Sequence, residues 1–499
     1  MNPLLQVDIY KVSHEGFMEN GTSKIYANLT ARSLKHLPVI HENHDGKSVF
    51  FSLQHFAKDF LIKCFNDQFF NKPKSEVIRK FKRIMDAHLG KGSVDMSRFE
   101  ALHDLGYLPI KIKALPEGSL VDIKVPFLTI VNTHPDFAWL TNYLETVMSQ
   151  ELWKPITIAT IAREYRKLGN KYALQTTGST AGVEFQFHDF SARGMSGRYD
   201  SAINGAAFLL SSNGTDTVSC IELLENSYNA DVENEFVGCS VPATEHSIQC
   251  SGTAVRGEYE SFLKWITVDY PSGIVSLVSD GFDYWNVLTD YLPRLKPHIL
   301  DRQPNALGLS KVVIRPDSGN PVDIICGTER EFGHGVTPEE KGSIEILWEI
   351  FGGSVTEQGF KVLDSHIGLI YGDSITLEVA HAVFHRLKLK GFASTNVVFG
   401  VGSFTMQYVT RDSLGIAVKA TYAVVDGNGY ELFKDPATDS GVKKSAKGLL
   451  RVEKDGDKFV LYDQQTPKQE EHGELKTVFE DGKLLVETSL SEIRKRIWG

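Results

Sequence analysis

An α/β fold with a parallel sheet, closed into an irregular barrel or left open, is what the middle of this 499-residue chain predicts. Three observations carry that expectation. From about residue 180 to 400, strand-like runs alternate with helix-like ones, as in Ile274 to Val278 then Phe282 to Leu292, and Ile367 to Ile370 then Leu377 to Leu389. Five apolar runs stop at small polar clusters: Phe187-His188-Asp189-Phe190-Ser191-Ala192-Arg193, Val278-Ser279-Asp280, Ile314-Arg315-Pro316-Asp317-Ser318-Gly319-Asn320, Ile370-Tyr371-Gly372-Asp373-Ser374 and Phe399-Gly400-Val401-Gly402-Ser403. Parallel strands collect reactive groups at their carboxyl ends, so clusters from distant sequence can converge on one pocket. Beyond Ser403 the rhythm changes, which marks the end of the alternating region.

The flanks read differently. Ser75 to Leu89 is an amphipathic helix with Val77, Ile78, Phe81, Ile84, Met85 and Leu89 on one face and Gly90 at its stop. Pro109 to Val131 gives two or three strands broken at Pro116-Glu117-Gly118 and Pro126, and a helix over Thr157 to Leu174 leads into the middle region. After Ser403, Asp426-Gly427-Asn428-Gly429, Asp455-Gly456-Asp457 and Asp481-Gly482 sit between alternating apolar runs and predict antiparallel hairpins. Three regions result: 1–155, 156–400 and 401–499.

A hydrophobic content of 42% supports a sizeable core and more than one folding unit. No run approaches the roughly 18 apolar residues of a spanning helix, and the first residues are too short for a signal sequence, so no membrane association is expected. A formal net charge of -10 and a pI of ≈ 5.9 speak against a nucleic-acid partner, which wants a basic stripe. Small anions remain compatible, because a few local arginines serve them. The five cysteines (Cys64, Cys220, Cys239, Cys250, Cys326) show no paired CxxC spacing and are expected as reduced, mostly buried thiols of a cytoplasmic protein.

Arg315 and Asp317 follow the β-branched run Val312-Val313-Ile314, at a strand exit. There an Arg can fork onto a phosphate, and an Asp can accept from sugar hydroxyls or an imidazole; a solvated surface ion pair is the plain alternative. Gly372-Asp373 and Gly400-x-Gly402-Ser403 offer close backbone approach and N–H donors, although Thr405 stands where the third Gly of the dinucleotide fingerprint belongs. Gly46-Lys47-Ser48 imitates a nucleotide loop but has His41 in place of its first Gly, and His41-Glu42-Asn43-His44 is one residue short of the zinc-protease spacing. No metal site is expected. His246, among small polar residues and with Asp280 and Asp317 to orient it, suits a base or a phosphoryl acceptor, against the plainer reading of a helix-start histidine. Phe190 is a stacking platform or core, and Asp216 a ligand acceptor or a helix cap.

Together with Asp8-x-Tyr10-Lys11-Val12-Ser13-His14, Trp139-Leu140-Thr141-Asn142, Pro155 to Thr160, Gly214-Thr215-Asp216-Thr217, Ser240-Val241-Pro242-Ala243-x-Glu245-His246-Ser247, Thr410-Arg411-Asp412 and Phe433-Lys434-Asp435-Pro436, these strings resemble the nicotinamide phosphoribosyltransferases, nearly along the whole chain. The resemblance implies the type II phosphoribosyltransferase fold, an irregular α/β barrel with a β-rich domain built from both chain ends, in a homodimer with shared active sites. It implies transfer of the 5-phosphoribosyl group of 5-phosphoribosyl 1-pyrophosphate to nicotinamide, giving nicotinamide mononucleotide and pyrophosphate for NAD salvage. Mg²⁺ would be held with the diphosphate, and ATP would be a stimulating co-substrate.

On the same resemblance, Phe190 stacks the pyridine ring opposite Tyr10 of the other subunit, Arg193 lies beside ring and sugar phosphate, and Asp216 accepts the carboxamide N–H. Asp317, Asp373 and Gly372 match ribose contacts. Arg315, Gly402, Ser403, Arg32, Arg411, Lys419 and Lys434 match groups handling the 5-phosphate or pyrophosphate. His246 matches the histidine phosphorylated by ATP, with Asp280 and Asp317 orienting it and Ser240 and Ser276 nearby. The chain departs from the pattern at Ser403-Phe404, where the glycine-rich loop has a further Gly, and at Ser191-Ala192, which replaces Gly-Tyr. Lys443, Lys444 and Lys447 read as solvated surface.

The nearest alternative is nicotinate phosphoribosyltransferase, against which the Asp216 carboxylate argues because it repels an acid substrate. A Schiff-base aldolase needs a lysine at a strand exit, and the five clusters carry none. A non-catalytic binding protein has no need to gather arginines, aspartates and an activatable histidine.

Overall fold

The computed structural model describes residues 1–329, 336–435 and 444–499; Pro436 and Lys443 lie outside them. Six parallel strands form the middle region, in the order Gly214–Thr215, Phe187–Asp189, Val397–Val401, Ile367–Tyr371, Ser310–Arg315, Gly273–Val278. An extended segment lies between the two edge strands and bonds to both: the Thr215 N–H donates to Cys239 O (2.9 Å) and the Ser276 N–H to Pro242 O (2.9 Å). The sheet thus curls into an irregular barrel, as expected. All carboxyl ends point the same way and are laced together, the Phe190 N–H reaching Val401 O (2.9 Å), Asp216 N–H reaching Asp189 O (2.9 Å) and Ser279 N–H reaching Arg315 O (3.0 Å).

Alternation along each strand decides which side chains face inward. In Ser310–Arg315, Val312 and Ile314 are fully buried against the outer helices. Arg315 therefore shares the concave face with Lys311 and Val313. Gly372 and Gly400 belong to that face too: a Cβ on Gly372 would sit 2.4 Å from Asp317 Oδ1, and one on Gly400 would sit 2.3 Å from the Phe190 ring. Outside, the helix Leu377–Leu389 buries Leu377, Ala380, Val383, Phe384 and Leu387, and Phe384 packs edge-on against Phe399 at 5.2 Å.

A seven-stranded antiparallel sheet is built from both chain ends, in the order Asn428–Glu431, Ala417–Val425, Thr22–Thr30, Pro126–Asn132, Ile110–Ala114, Lys476–Glu480, Lys483–Leu484. The helix Glu145–Thr177 runs from this layer into the barrel with Pro155 inside it. It begins well before the expected Thr157, because a proline that signals a boundary in isolation is tolerated where neighbouring packing holds the helix. The Phe282 to Leu292 helix is corrected to Tyr284–Asn286 followed by further turns ending in the helix Leu292–Leu300. The three predicted hairpins form at their turns.

At the carboxyl end, the helix Leu490–Trp498 returns to the barrel: Arg494 donates to the carbonyl of Leu209 (2.7 Å), an acceptor left over at the end of the helix Arg198–Phe208, and to that of Val237 (2.7 Å). The thiols are unpaired, but only Cys220 and Cys326 are buried, and Cys250 is exposed, so the expectation of mostly buried cysteines holds for two of five. Among the described residues no helix is long and apolar enough to cross a membrane.

Candidate active site at the barrel mouth

Asp280 is the hub of the mouth. Its side chain is 3% exposed. One oxygen lies 3.1 Å from His246 Nε2, and the other accepts from the Asp317 N–H (2.8 Å) and the Ser318 hydroxyl (2.6 Å). Burial pushes this carboxyl up, but those hydrogen bonds and the adjacent imidazole outweigh it and hold it below its ordinary range. His246 is the first residue of the helix His246–Arg256 and is half exposed, so its ring is anchored on one side and open on the other.

Asp317 behaves in the opposite way. Burial raises its pKa, the Arg315 guanidinium and His246 oppose this, and the Asp280 and Asp373 charges reinforce it. Its Oδ1 is buried without a hydrogen-bond partner, and so is Arg315 Nε 3.7 Å away. Arg315 is fixed instead by donating from Nη2 to Thr244 O (2.7 Å). Two buried polar atoms left unmade at a strand exit cost free energy and are the natural partners of a polar ligand. Ser276 Oγ, buried on the neighbouring strand, is likewise unpartnered.

Phe190 packs on His188, ring centroids 4.7 Å apart, and His188 Nε2 lies 2.9 Å from Asp216 Oδ1. Ser240 donates to the same oxygen. Burial raises the Asp216 pKa, but these two hydrogen bonds and the His188 and Arg315 charges leave it below its ordinary value, as an ionised acceptor. It caps no helix, since the next one, Ser219–Tyr228, has Val218 at its N-cap. Asp189, fully buried, accepts from the Ser191 N–H (2.9 Å) and Thr215 hydroxyl (3.2 Å) and braces this corner. Gly194, next to the exposed Arg193, approaches Ser403 so closely that a Cβ there would lie 2.5 Å from the Ser403 Cβ. Gly402 and Ser403 open the short helix Ser403–Met406, and Asp373 is exposed at the rim, accepting from Ser374 Oγ (2.7 Å).

The remaining predicted residues gather elsewhere. Lys419, on the strand Ala417–Val425, has its pKa lowered by burial; Glu145 opposes this, and the positive charges of Arg32, Lys434 and Arg411 add to it. Arg32 donates to Gly415 O (2.7 Å), and the exposed Arg411 lies 3.5 Å from Asp412. Lys434 is exposed. Glu145 also pairs with Lys11 (2.5 Å), beside Tyr10. The Tyr10 ring is 58% exposed and contacts His14 at 5.3 Å; among the described residues it makes no ring contact with Phe190 in its own chain.

One cavity and one cluster of potential ligands lie away from the mouth. A cavity of ≈ 760 Å³ lined by residues such as Trp348, Lys361, Arg386 and Lys390 shares no residue with it. Among the described residues, one group of three potential metal ligands converges within 4.8 Å: His44, Asp45 and Glu164. Arg163 and Lys167 already bond its carboxylates, and His44 Nδ1 accepts from the Gly46 N–H. Sequence reasoning gave His188 no role of its own. Its place two residues before Phe190 in the first polar cluster was the available signal.

The pattern of the Nicotinate phosphoribosyltransferase (NAPRTase) family matches residues 185–483. A nicotinamide phosphoribosyltransferase of Acinetobacter baylyi is 54% identical over 500 residues, covering 100% of this chain and 97% of that one. Others from Mycoplasma pneumoniae and Xanthomonas campestris are 33% and 32% identical, covering 87% and 99% of this chain and 92% and 97% of theirs. In fold, the chain is similar to a nicotinate-nucleotide pyrophosphorylase from Pyrococcus furiosus (TM-score 0.56, 15% identity, 99% of this chain and 94% of that one). It is also similar to human nicotinic acid phosphoribosyltransferase (TM-score 0.52, 13% identity, 98% and 92%). The chain belongs to the nicotinate phosphoribosyltransferase (NAPRTase) family, with the type II phosphoribosyltransferase fold.

Proposed function

We propose that the protein transfers the 5-phosphoribosyl group of 5-phosphoribosyl 1-pyrophosphate to nicotinamide, forming nicotinamide mononucleotide and pyrophosphate in NAD salvage in the cytoplasm. The observation that carries the choice of the amide is Asp216: an ionised carboxylate, bonded through one oxygen to His188 and Ser240, beside the ring that packs on Phe190. Such an acceptor favours a carboxamide N–H and repels a carboxylate. The relatives' names point the same way.

In this reading Phe190 stacks the pyridine, Arg193 flanks it, and Asp317, Gly372 and Asp373 meet the ribose hydroxyls. The transition state is oxocarbenium-like at the sugar carbon, so catalysis rests on holding the ring nitrogen in line and stabilising the departing polyanion. Arg315, Gly402 and Ser403 serve the phosphates from the mouth. Arg32, Arg411, Lys419 and Lys434 serve them from a second subunit, along with Tyr10, in a homodimer. Mg²⁺ arrives on the diphosphate: the mouth offers separate carboxylates, each tied to its own neighbours, rather than a closed cage. His246, oriented by Asp280 with Asp317, Ser240 and Ser276 nearby, accepts a phosphoryl group from ATP, whose hydrolysis tightens substrate binding.

The test is incubation with nicotinamide or nicotinate, the sugar donor and Mg²⁺, with and without ATP, reading mononucleotide. Nicotinamide should be preferred and ATP should stimulate; preference for nicotinate would overturn the amide reading. A His246→Ala variant that keeps full ATP hydrolysis and stimulation would overturn the phosphohistidine alone.

A further inference from the structure

We propose that Lys154, Asp200 and Gln407 form a clasp that sets the spacing between the Arg193 segment and the Gly402–Ser403 loop, and so are positioning residues for the phosphoribosyl donor. The proposal rests on the reading above that Arg193, Gly402 and Ser403 meet that donor.

Lys154 sits on the helix Glu145–Thr177 and is 8% exposed. A lysine that deep must have its charge compensated. Its ammonium has three donors and all are used: Asp200 Oδ1 lies at 2.7 Å, Asp200 Oδ2 at 2.8 Å and Gln407 Oε1 at 2.9 Å. With its amide oxygen held in this way, Gln407 presents its amide nitrogen to Gly194 O (3.1 Å), Ser196 Oγ (3.0 Å) and Asp200 Oδ2 (3.4 Å). The reverse orientation would set Nε2 against the ammonium and Oε1 against a carbonyl, so the network itself fixes which way the amide points. Asp200 closes the clasp by accepting from the Ser196 N–H (3.0 Å) and from Asn204 Nδ2 (2.9 Å). It stands in the first turn of the helix Arg198–Phe208, where a carboxylate is favoured. A solvated ion pair is the plain reading of Lys154 with Asp200. The burial of the lysine, and the amide that carries the pair on to Gly194, argue against it.

Two segments are thereby fixed to one support. Gly194 and Ser196 follow Arg193 directly, and Gln407 ends the helix Ser403–Met406, its N–H donating to Ser403 O (2.8 Å). The segments abut, since a Cβ on Gly194 would lie 2.5 Å from that of Ser403. Neither can shift far without the other. About three turns further along Glu145–Thr177 the same short helix is tied again: the Tyr165 hydroxyl lies 2.7 Å from Thr405 Oγ1 and donates to Ile375 O (3.2 Å). The Phe190–Asp216 corner is braced separately, by His188, Ser240 and Asp189. The clasp therefore acts on the donor's end of the site rather than on the ring's end.

The experiment measures KM for the sugar donor and for nicotinamide, kcat and melting temperature in wild type, Gln407→Met, Lys154→Met and the double variant. Methionine keeps the approximate length of either side chain and cannot bridge. Gln407→Met leaves the Lys154–Asp200 pair in place, so its melting temperature should stay within about 3 °C of wild type. Its donor KM should rise about tenfold, as expected when a ligand-contacting segment is displaced by less than about 1 Å, while nicotinamide keeps its KM within about twofold. The double variant should be no worse than the poorer single one, because the residues act as a unit. A wild-type donor KM in Gln407→Met, an equal rise in both KM values, or losses that multiply in the double variant would each overturn the proposal. Gln407→Met alone decides it if the Lys154 variants do not fold. Wild type that makes no mononucleotide from nicotinamide and the donor would instead overturn the underlying reading.

Discussion

The barrel mouth and the cationic cluster on the antiparallel sheet solve opposite electrostatic problems. At the mouth, acids and bases are interleaved: Asp280 between His246 and the 317–318 loop, Asp216 between His188 and Ser240, Asp317 against Arg315. Asp280 and Asp216 are held by their donors, while Asp317 Oδ1 and Arg315 Nε have no hydrogen-bond partner. On the sheet, Arg32, Arg411, Lys419 and Lys434 are mutually repulsive, with Glu145 the opposing charge acting on Lys419. In the proposed reaction this is the cluster that would meet the phosphates: the mouth would select and the cationic cluster would capture. If both serve one reaction, they must meet, and within one chain Tyr10, beside the sheet cluster, does not reach Phe190.

The sharpest way to break this comparison is to damage each region separately. Arg315→Ala and the double variant Arg411→Ala/Lys419→Ala should each fall to roughly a hundredth of wild-type activity or less, as removal of a preorganised charge clamp does. Co-expressed in equal amounts, the two should recover about a quarter of wild-type activity, because half of the dimers carry one site with neither defect. No recovery would place both regions in the same subunit's site, or in different reactions.

A smaller effect is expected of Gly400→Ala. The added methyl would lie 2.3 Å from Phe190 Cδ2 and 2.9 Å from Gly372 Cα, so Phe190 must move. Denaturant unfolding should show a loss of about 1–3 kcal/mol, and KM for the pyridine substrate should rise about tenfold or more while the sugar donor's KM changes little.

The smallest effect concerns Asp317. Its folded pKa lies above the ordinary 3.8 because of burial and neighbouring acids. The native state thus favours the protonated form, and this group's contribution to stability is greatest below the ordinary value and declines as pH rises through the raised one. Asp317→Asn imitates the protonated form. Its melting temperature should exceed wild type by about 1–2 °C at neutral pH, the gain fading on acidification, while turnover falls about tenfold for the lost ribose acceptor. A gain that grows on acidification would reverse the sign assigned to Asp317.

The mouth was legible in the sequence for a physical reason. A β-branched run such as Val312-Val313-Ile314 followed by Arg-Pro-Asp-Ser-Gly reports both a strand and its exit, and parallel strands put all exits on one side. The helix Lys74–Leu89 and the Asp-Gly hairpins were legible because their signals are local. What escaped was non-local or too short. The neighbourhood of Arg32 and Lys419 follows from pairing Thr22–Thr30 with Ala417–Val425, which no periodicity announces. The strand holding His188 has three residues, too few to display alternation. The helix expected over Thr157 to Leu174 instead starts at Glu145 and continues through Pro155.

The most direct test of the central claim, that the Asp216 carboxylate at the mouth selects the amide, is the ratio of nicotinate to nicotinamide turnover in Asp216→Asn against wild type at neutral pH. Replacing the carboxylate by an amide removes one negative charge at the same shape, and the ratio should rise about tenfold or more. An unchanged ratio, in a variant that still folds and still makes mononucleotide, would contradict the account.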